Sequence, residues 1–106
     1  MQLKIYAVIL ETVAFLKPEM DLIARRDSNL ADQMRRAAAS MALNTSEGAY
    51  SRGRNVQARF HTALGSARET LACIEVGVAL GYVPAVRDDV NARMNQILGT
   101  LTKLSR

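Results

Sequence analysis

The sequence predicts an all-α protein, an antiparallel up-down-up-down four-helix bundle that residues 1–106 form as a single domain. Apolar residues recur at helical spacing in four segments, and no segment shows the sustained apolar–polar alternation of a half-buried strand. The connections between the segments are short, so consecutive helices should lie side by side in opposite directions. With 106 residues, 49% of them apolar, the chain is long enough to bury one core without disulfides.

The first helix is predicted over about residues 2–16. Pro18 is expected to end it, because a proline disfavours helical geometry in the residue before it. A polar connection over residues 19–27 then leads to the second helix. The apolar stripe of the first helix is predicted to consist of Leu3, Tyr6, Leu10 and Val13.

The second helix is predicted over about residues 29–47, with Asp27 or Ser28 as its N-cap. Gly48 is expected to terminate it, since glycine is the usual residue just past a helix end. Its core stripe is predicted to consist of Leu30, Met34, Ala37, Met41 and Thr45.

The third helix is predicted from Asn55 to Leu80, and Gly81 supplies the left-handed residue that stops it. Pro84 is expected to open the fourth helix in a first-turn position, with Asp88 and Asp89 close enough to its start to favour the helix dipole. The third stripe is predicted to be Phe60, Leu64, Ala67, Leu71, Ile74 and Val78. The fourth is predicted to be Val86, Val90, Met94, Ile97, Leu101 and Leu104.

Helices one and three carry more apolar residues than one buried face requires. Contiguous exposed apolar surface usually marks an interface, although scattered surface hydrophobes are also normal. We therefore expect self-association. The residues predicted to form the oligomer interface are Ile5, Ile9, Leu16, Cys73, Val76 and Leu80.

The positive charge is concentrated in one part of the sequence. Residues 25–59 contain seven arginines against three acidic residues, whereas the rest of the chain is neutral. This asymmetry indicates a polyanionic partner, RNA or DNA, whose phosphates arginines can hold and whose bases a tyrosine can stack on. The alternative is a solvated loop whose arginines pair with nearby acids. The predicted nucleic-acid-binding residues are Arg35, Arg36, Arg52, Arg54, Arg59 and Tyr50.

The polar interval at the end of the second helix is interpreted as structural. Arg36, Ser40 and Glu47 lie on one side of this helix and Asn44 at the edge of its core stripe, so Ser40, Asn44 and Glu47 are predicted to form a local polar network. A catalytic role is not expected, because no second carboxylate or base stands at acid–base spacing. One cysteine and one histidine, Cys73 and His61, leave no metal-ligand set, and no phosphate-binding loop motif occurs. We expect no cofactor and no metal.

The apolar N-terminal run is too short to span a bilayer and is interrupted by Glu11. A cytoplasmic protein without membrane contact is therefore expected.

Two segments of the chain resemble a known family. QMRRAAASMALNTSEGAYSRGR resembles the pattern Q-x-R-R-A-x-x-S-I-x-x-N-I-A-E-G of the 23S ribosomal RNA intervening-sequence proteins, which are small bacterial four-helix bundles. ALGSARETLACIEVGVALGYV resembles the third-helix pattern of that family, A-x-G-S-x-x-E through a final L-G-Y. Thr45 and Ser46 stand where the family usually carries an apolar residue and an alanine.

This resemblance implies a four-helix bundle that assembles as a ring, typically a homopentamer, with no established enzymatic activity. It also implies a distant similarity to accessory proteins of diversity-generating retroelements, which bind nucleic acid and a reverse transcriptase. We therefore expect a non-enzymatic oligomeric binding or scaffold protein with an arginine-rich surface for RNA or DNA. The alternative is a structural adaptor that serves a protein partner and binds no nucleic acid.

Overall fold

The computed structural model describes residues 4–53 and 55–106, and these form an all-α four-helix bundle 44 × 25 × 20 Å in extent. The described residues contain five helical segments, because a single residue, Leu16, divides the first arm of the bundle in two. The segments are α1 (Lys4–Phe15), α2 (Lys17–Ala24), α3 (Ser28–Tyr50), α4 (Asn55–Ala79) and α5 (Asp88–Leu104).

Helices α3 and α4 run antiparallel and form the most extensive helix pair of the bundle. The hydroxyl oxygens of Ser40 and Ser66 lie 2.7 Å apart. Glu47, seven residues further along α3, pairs at 3.1 Å with Arg59, seven residues earlier in α4. The two helices therefore advance in opposite directions along one shared face.

The first arm and α5 are antiparallel in the same way. Glu11 of α1 pairs with Arg93 at 3.7 Å, and Glu19 of α2 pairs with Arg87 at 2.7 Å. The first arm also packs against α3, and α4 packs against α5. This arrangement is the up-down-up-down order that the short connections predict.

The stripes predicted for α3, α4 and α5 line the core, which confirms their helical phase. Thr45 belongs to this core although it is polar, because its hydroxyl donates to the Met41 carbonyl at 2.8 Å. A threonine can thus stand at a family position that is usually apolar. The fully buried stripe residues include Met34, Met41, Ala67, Ile74, Met94, Ile97 and Leu101.

The phase predicted for the first helix is wrong. Ile5, Ile9 and Leu16, predicted to face a partner subunit, are buried in the core of the single chain. Leu10, predicted in the core, is exposed, and Leu3 lies outside the described residues. Because α1 carries apolar side chains around most of its circumference, its periodicity does not decide its orientation. The packing of α1 between α3 and α5 decides it.

Cys73 is also in the core, contrary to its predicted place on the outer face of α4. Helix α4 buries a second row of residues, Thr70, Cys73 and Gly77, that continues from the Ser66 contact with α3. Ile5, Ile9, Leu16 and Cys73 are therefore not available as an oligomer interface. Val76 and Leu80 are exposed, as predicted.

The prediction that Pro18 ends the first helix is wrong, because Pro18 lies in the first turn of α2. A proline is tolerated there because the first N–H groups of a helix have no intrahelical partner. The Met20 amide donates to the Leu16 carbonyl at 3.1 Å, which carries the helical backbone across the bend. Residues 19–24, predicted as part of the connection, are thus helical and include the buried residues Glu19 and Ile23.

Two predicted helix ends are confirmed by their hydrogen bonds. The Asp27 carboxylate accepts from the Leu30 amide at 3.0 Å and caps α3. Gly81 has φ of +81°, and the Tyr82 amide donates to the Gly77 carbonyl at 2.8 Å. This bond is the long hydrogen bond of a Schellman motif, which ends α4 at the predicted place.

The start predicted for the fourth helix is wrong by one turn. Pro84 lies in a non-helical connection, and α5 begins at Asp88. Arg87 is extended, with φ of −63° and ψ of 143°, and it occupies the N-cap position. Asp88 and Asp89 therefore lie in the first turn itself, where their charges favour the helix dipole.

Gly48 does not terminate α3, which continues to Tyr50. A Cβ atom on Gly48 would lie 2.8 Å from the Cε1 atom of Phe60, whose ring is buried between α3 and α4. The glycine is therefore required for close packing of the two helices, not for a turn.

We expect the free energy of unfolding of the Gly48→Ala variant to be about 1–3 kcal/mol lower than that of the Gly65→Ala variant. The reason is that the added Cβ atom overpacks the contact with the Phe60 ring. Gly65 is an exposed helical glycine, and a Cβ atom there would meet nothing within 4 Å, so alanine adds only helix propensity, about 1 kcal/mol. Urea denaturation of both variants measures the difference. Equal stabilisation by both substitutions would show that the Phe60 ring can move away from the added Cβ atom without an energetic cost.

Candidate nucleic-acid interface

One end of the bundle collects positive side chains from three helices, from the α3–α4 turn and from the residues after α5. This basic end contains the α3–α4 turn, with exposed Arg52, and Arg59 on the following part of α4. Glu11 and Arg93 form an ion pair between the antiparallel helices α1 and α5. Lys4 lies seven residues before Glu11, and Lys103 lies ten residues after Arg93. Because the two helices run in opposite directions, both lysines lie toward the same end of the bundle. The described cations of the basic end are Lys4, Arg52, Arg59, Lys103 and Arg106.

Glu47 is the only carboxylate side chain at the basic end among the described residues. The chain has 14 lysines and arginines and 10 acidic residues. Setting aside the five cations of the basic end and Arg54, which lies outside the described residues, leaves eight cations against nine other acids. The positive excess of the protein therefore lies at one end of the bundle, and the remainder is nearly balanced.

The structure brings together only part of the predicted nucleic-acid-binding set. Tyr50 and Arg52 are exposed at the basic end, and Arg59 is held there by Glu47. Arg35 and Arg36 are exposed on α3 but lie about 20 Å along the helix from Tyr50, given a rise of about 1.5 Å per residue. Arg35 is also paired with Asp32.

The predicted polar network exists in part. The Asn44 amide donates to the Ser40 carbonyl at 3.0 Å and to its hydroxyl at 3.1 Å, and that hydroxyl contacts Ser66 of α4. Glu47 is not a member, because its carboxylate pairs with Arg59 instead. The network therefore fastens α3 to α4 at mid-height, and Glu47 belongs to the basic end.

A second polar site, which was not predicted from the sequence, lies at the opposite end of the bundle. Glu19, only 3% exposed, accepts two hydrogen bonds from the Arg87 guanidinium, at 2.7 and 3.0 Å. Arg87 also donates to the Phe15 carbonyl at 2.7 Å. The hydrogen bond to Glu19 raises the pKa of Arg87, so the guanidinium stays charged. We call these three residues the Arg87 clamp.

The clamp includes a stacked arrangement of cations on one aromatic ring. The Arg87 guanidinium carbon lies 4.4 Å from the centroid of the Phe15 ring, and that of Arg93 lies 4.6 Å from it. Both contacts are within cation–π range. The clamp ties the bend between α1 and α2 to the start of α5. The signal that the sequence analysis missed is Pro18. Interpreted as the start of a helix, it would have predicted that Glu19 lies in a helical first turn.

A pocket of about 380 Å³ adjoins the clamp. Its apolar wall includes Pro18, Leu22 and Val83, and its polar wall is the Glu19–Arg87 pair. The charged groups of that pair satisfy one another. The pocket therefore presents no free acid or base.

The remaining reactive side chains offer little chemistry. Burial, with the Glu69 charge as a smaller cause, raises the pKa of the Cys73 thiol, which disfavours the reactive thiolate. Within the described residues, no group of three His, Cys, Asp or Glu side chains is placed to hold a metal ion. His61 is exposed.

Across residues 4–53 and 55–106, none of the helices combines the length and the apolar character needed to cross a bilayer.

Comparison with protein families found one that covers nearly the whole chain. The family model described as 23S rRNA-intervening sequence protein matches residues 4–103. Comparisons with curated proteins and with solved structures found no match.

We expect Arg87→Met to lower the free energy of unfolding by about 2–4 kcal/mol, because it leaves a buried carboxylate without its partner. Arg93→Met is the matched control, since Arg93 contacts the same ring but pairs with an exposed Glu11. That variant should lose no more than about 1 kcal/mol. Thermal and urea denaturation measure the stability of both variants. Equal losses of unfolding free energy would show that the buried Glu19–Arg87 pair stabilises the protein no more than the exposed Glu11–Arg93 pair.

Proposed function

The chain belongs to the 23S rRNA-intervening sequence protein family, and within it we propose a non-enzymatic, self-associating protein that binds nucleic acid through its basic end. The observation that supports this proposal is the placement of five described cations and a single carboxylate at one end of the bundle. A local excess of positive charge attracts the phosphates of RNA or DNA independently of sequence. We propose a cytoplasmic location, which suits a single buried thiol.

An acid–base role for Glu47 has no support in its surroundings. Its side chain is 57% exposed and its carboxylate pairs with Arg59 at 3.1 Å, so it is open to solvent and already engaged in an ion pair. The Glu19–Arg87 pair is likewise closed on itself. This is why the proposal is a binding protein and not an enzyme.

Exposed apolar side chains on two different helices support self-association. Leu43 of α3 is 63% exposed and lies seven residues after the exposed Arg36. Val76 of α4 is 45% exposed and lies seven residues after the exposed Glu69. Positions seven apart share one helical face, so one patch pairs an apolar residue with a cation and the other with an anion.

Two patches that differ in charge and lie on different helices favour head-to-tail contact between identical chains. Such contacts close into a ring when the rotation between subunits permits, which is consistent with the homopentamer that we propose. A ring repeats each basic end, and the combined avidity for one nucleic-acid strand exceeds the affinity of any single subunit.

The second candidate is an adaptor for a protein partner without nucleic-acid binding. Leu80, 56% exposed near the end of α4, favours it, because exposed large apolar residues can serve a different protein as well as a second copy. Pull-down with and without nuclease separates the candidates. A partner that survives nuclease and requires Leu80 supports the adaptor.

We expect binding of a labelled oligonucleotide to weaken steeply with salt, because bound phosphates release counterions. Arg52→Ser should weaken binding and reduce the slope of log affinity against log salt by about 1. Arg35→Ser removes the same charge from a residue paired with Asp32 outside the basic end, and it should leave that slope unchanged. Fluorescence anisotropy over a salt series measures both.

Glu47→Gln provides the opposite change in the same assay. It removes the carboxylate of the basic end and frees Arg59, so affinity and salt dependence should both increase. Absence of binding by the wild type, or equal losses in the Arg52 and Arg35 variants, would remove the assignment to the basic end.

We expect light scattering of the wild type to give a mass five times the 11.6 kDa of one chain. Replacing both Val76 and Leu80 with serine should lower that mass, because it removes the apolar part of one proposed contact face. Asn95→Ser, an exposed polar change on α5, is the control. A wild type that remains monomeric would contradict the assembly.

A further inference from the structure

We propose that the basic end binds an unpaired strand, with one base stacked on the ring of Tyr50. This inference rests on the proposed nucleic-acid binding and specifies its ligand as single-stranded RNA or DNA. The supporting observations are the exposure of Tyr50, its position beside a held arginine, and its place at a helix-to-helix turn.

Tyr50 is the one exposed residue among the phenylalanines and tyrosines of the described residues, with 64% of its surface accessible. Phe60 is buried, and the Phe15 ring is covered by two arginines. Tyr82 is half-buried, with the Arg26 guanidinium 5.8 Å from its ring centroid. Tyr6 is half-buried against the core. Of these five rings, Tyr50 therefore presents the most open face to a ligand.

Arg59 is held next to this ring by a contact between helices. Glu47 lies three residues before Tyr50, in a neighbouring position on the surface of α3. Its carboxylate holds the Arg59 side chain at 3.1 Å. A guanidinium suited to a phosphate thus lies beside an aromatic platform suited to a base, as in proteins that track single strands.

The turn after Tyr50 adds a further group for a backbone phosphate. Ser51 is extended, with φ of −83° and ψ of 160°, and Gly53 has φ of +79°, so the chain reverses within a few residues. Exposed Arg52 lies in that turn, and α4 begins at Asn55. The Val56 amide of α4 closes this turn by donating to the Gly53 carbonyl at 3.4 Å, so the side chain of Arg52 is the described group of the turn that is placed to meet a phosphate.

The chemistry of the ring selects an unpaired strand. Bases in a duplex are already stacked and paired, so a tyrosine on a convex bundle end reaches them only after they are unstacked. Bases of a single strand present free faces at no such cost. A duplex gains only the phosphate contacts of the basic end, whereas a single strand gains the stacking contact as well.

The test compares four ligands of equal length: unstructured RNA, unstructured DNA, a blunt-ended duplex, and an abasic strand that keeps the phosphates. Tyr50→Leu should weaken binding of both unstructured strands about 5- to 100-fold, the usual effect of losing one stacked base. It should leave binding of the duplex and of the abasic strand unchanged. Tyr50→Phe, which keeps the ring, should retain wild-type affinity. Because Tyr50 is exposed, both variants should keep the wild-type circular dichroism spectrum.

Each alternative outcome identifies what has failed. Equal effects of Tyr50→Leu on all four ligands, or no effect on any, would overturn the stacking inference while nucleic-acid binding by the basic end stands. A wild type that binds none of the ligands would overturn the proposed function and this inference with it. A Tyr50→Leu variant with altered assembly mass and unaltered affinities would assign the ring to a subunit contact and overturn the inference.

Discussion

The close antiparallel contact between α3 and α4 is the constraint on which the rest of the structure depends. Gly48 permits the Phe60 ring to lie against the α3 backbone, and the Ser40–Ser66 contact sets the register at mid-height. With that register, the turn that follows Tyr50 can lie only at the end where Glu47 meets Arg59. The location of the basic end is thus a consequence of how two long helices pack.

The Arg87 clamp secures the other end and completes the basic end indirectly. It joins the bend at Leu16 to the start of α5, so α1 and α2 together form one arm as long as the bundle. Because that arm is antiparallel to α5, Lys4 and Lys103 extend toward the same end.

The sequence was informative where one face of a helix is clearly apolar. The stripes of α3, α4 and α5 could be predicted because only one side of each helix suits a core, and the Gly81 stop could be predicted because few residues adopt positive φ. The orientation of α1 could not, since several sides of that helix are apolar. Gly48 was misread because a glycine needed for close packing and a glycine needed for a turn look identical without the partner ring.

The candidate site shows the same limit for charge. Seven arginines between residues 25 and 59 made a contiguous basic segment, yet a helix of 23 residues distributes such a segment along most of the bundle. Arg35 is paired with Asp32, and Arg36 lies well away from the turn. The spatial excess combines Arg52 and Arg59 with cations from both ends of the chain.

Electrostatic attraction acts through space, over roughly 10 Å at ordinary ionic strength, and not along the sequence. A polyanion therefore responds to the end of the bundle on which these cations converge, whatever their separation in the chain. The rest of the surface carries nearly equal numbers of cations and acids, so it offers phosphates little competing attraction. Under the proposed function, this contrast between one charged end and a balanced remainder favours binding at the end of the bundle.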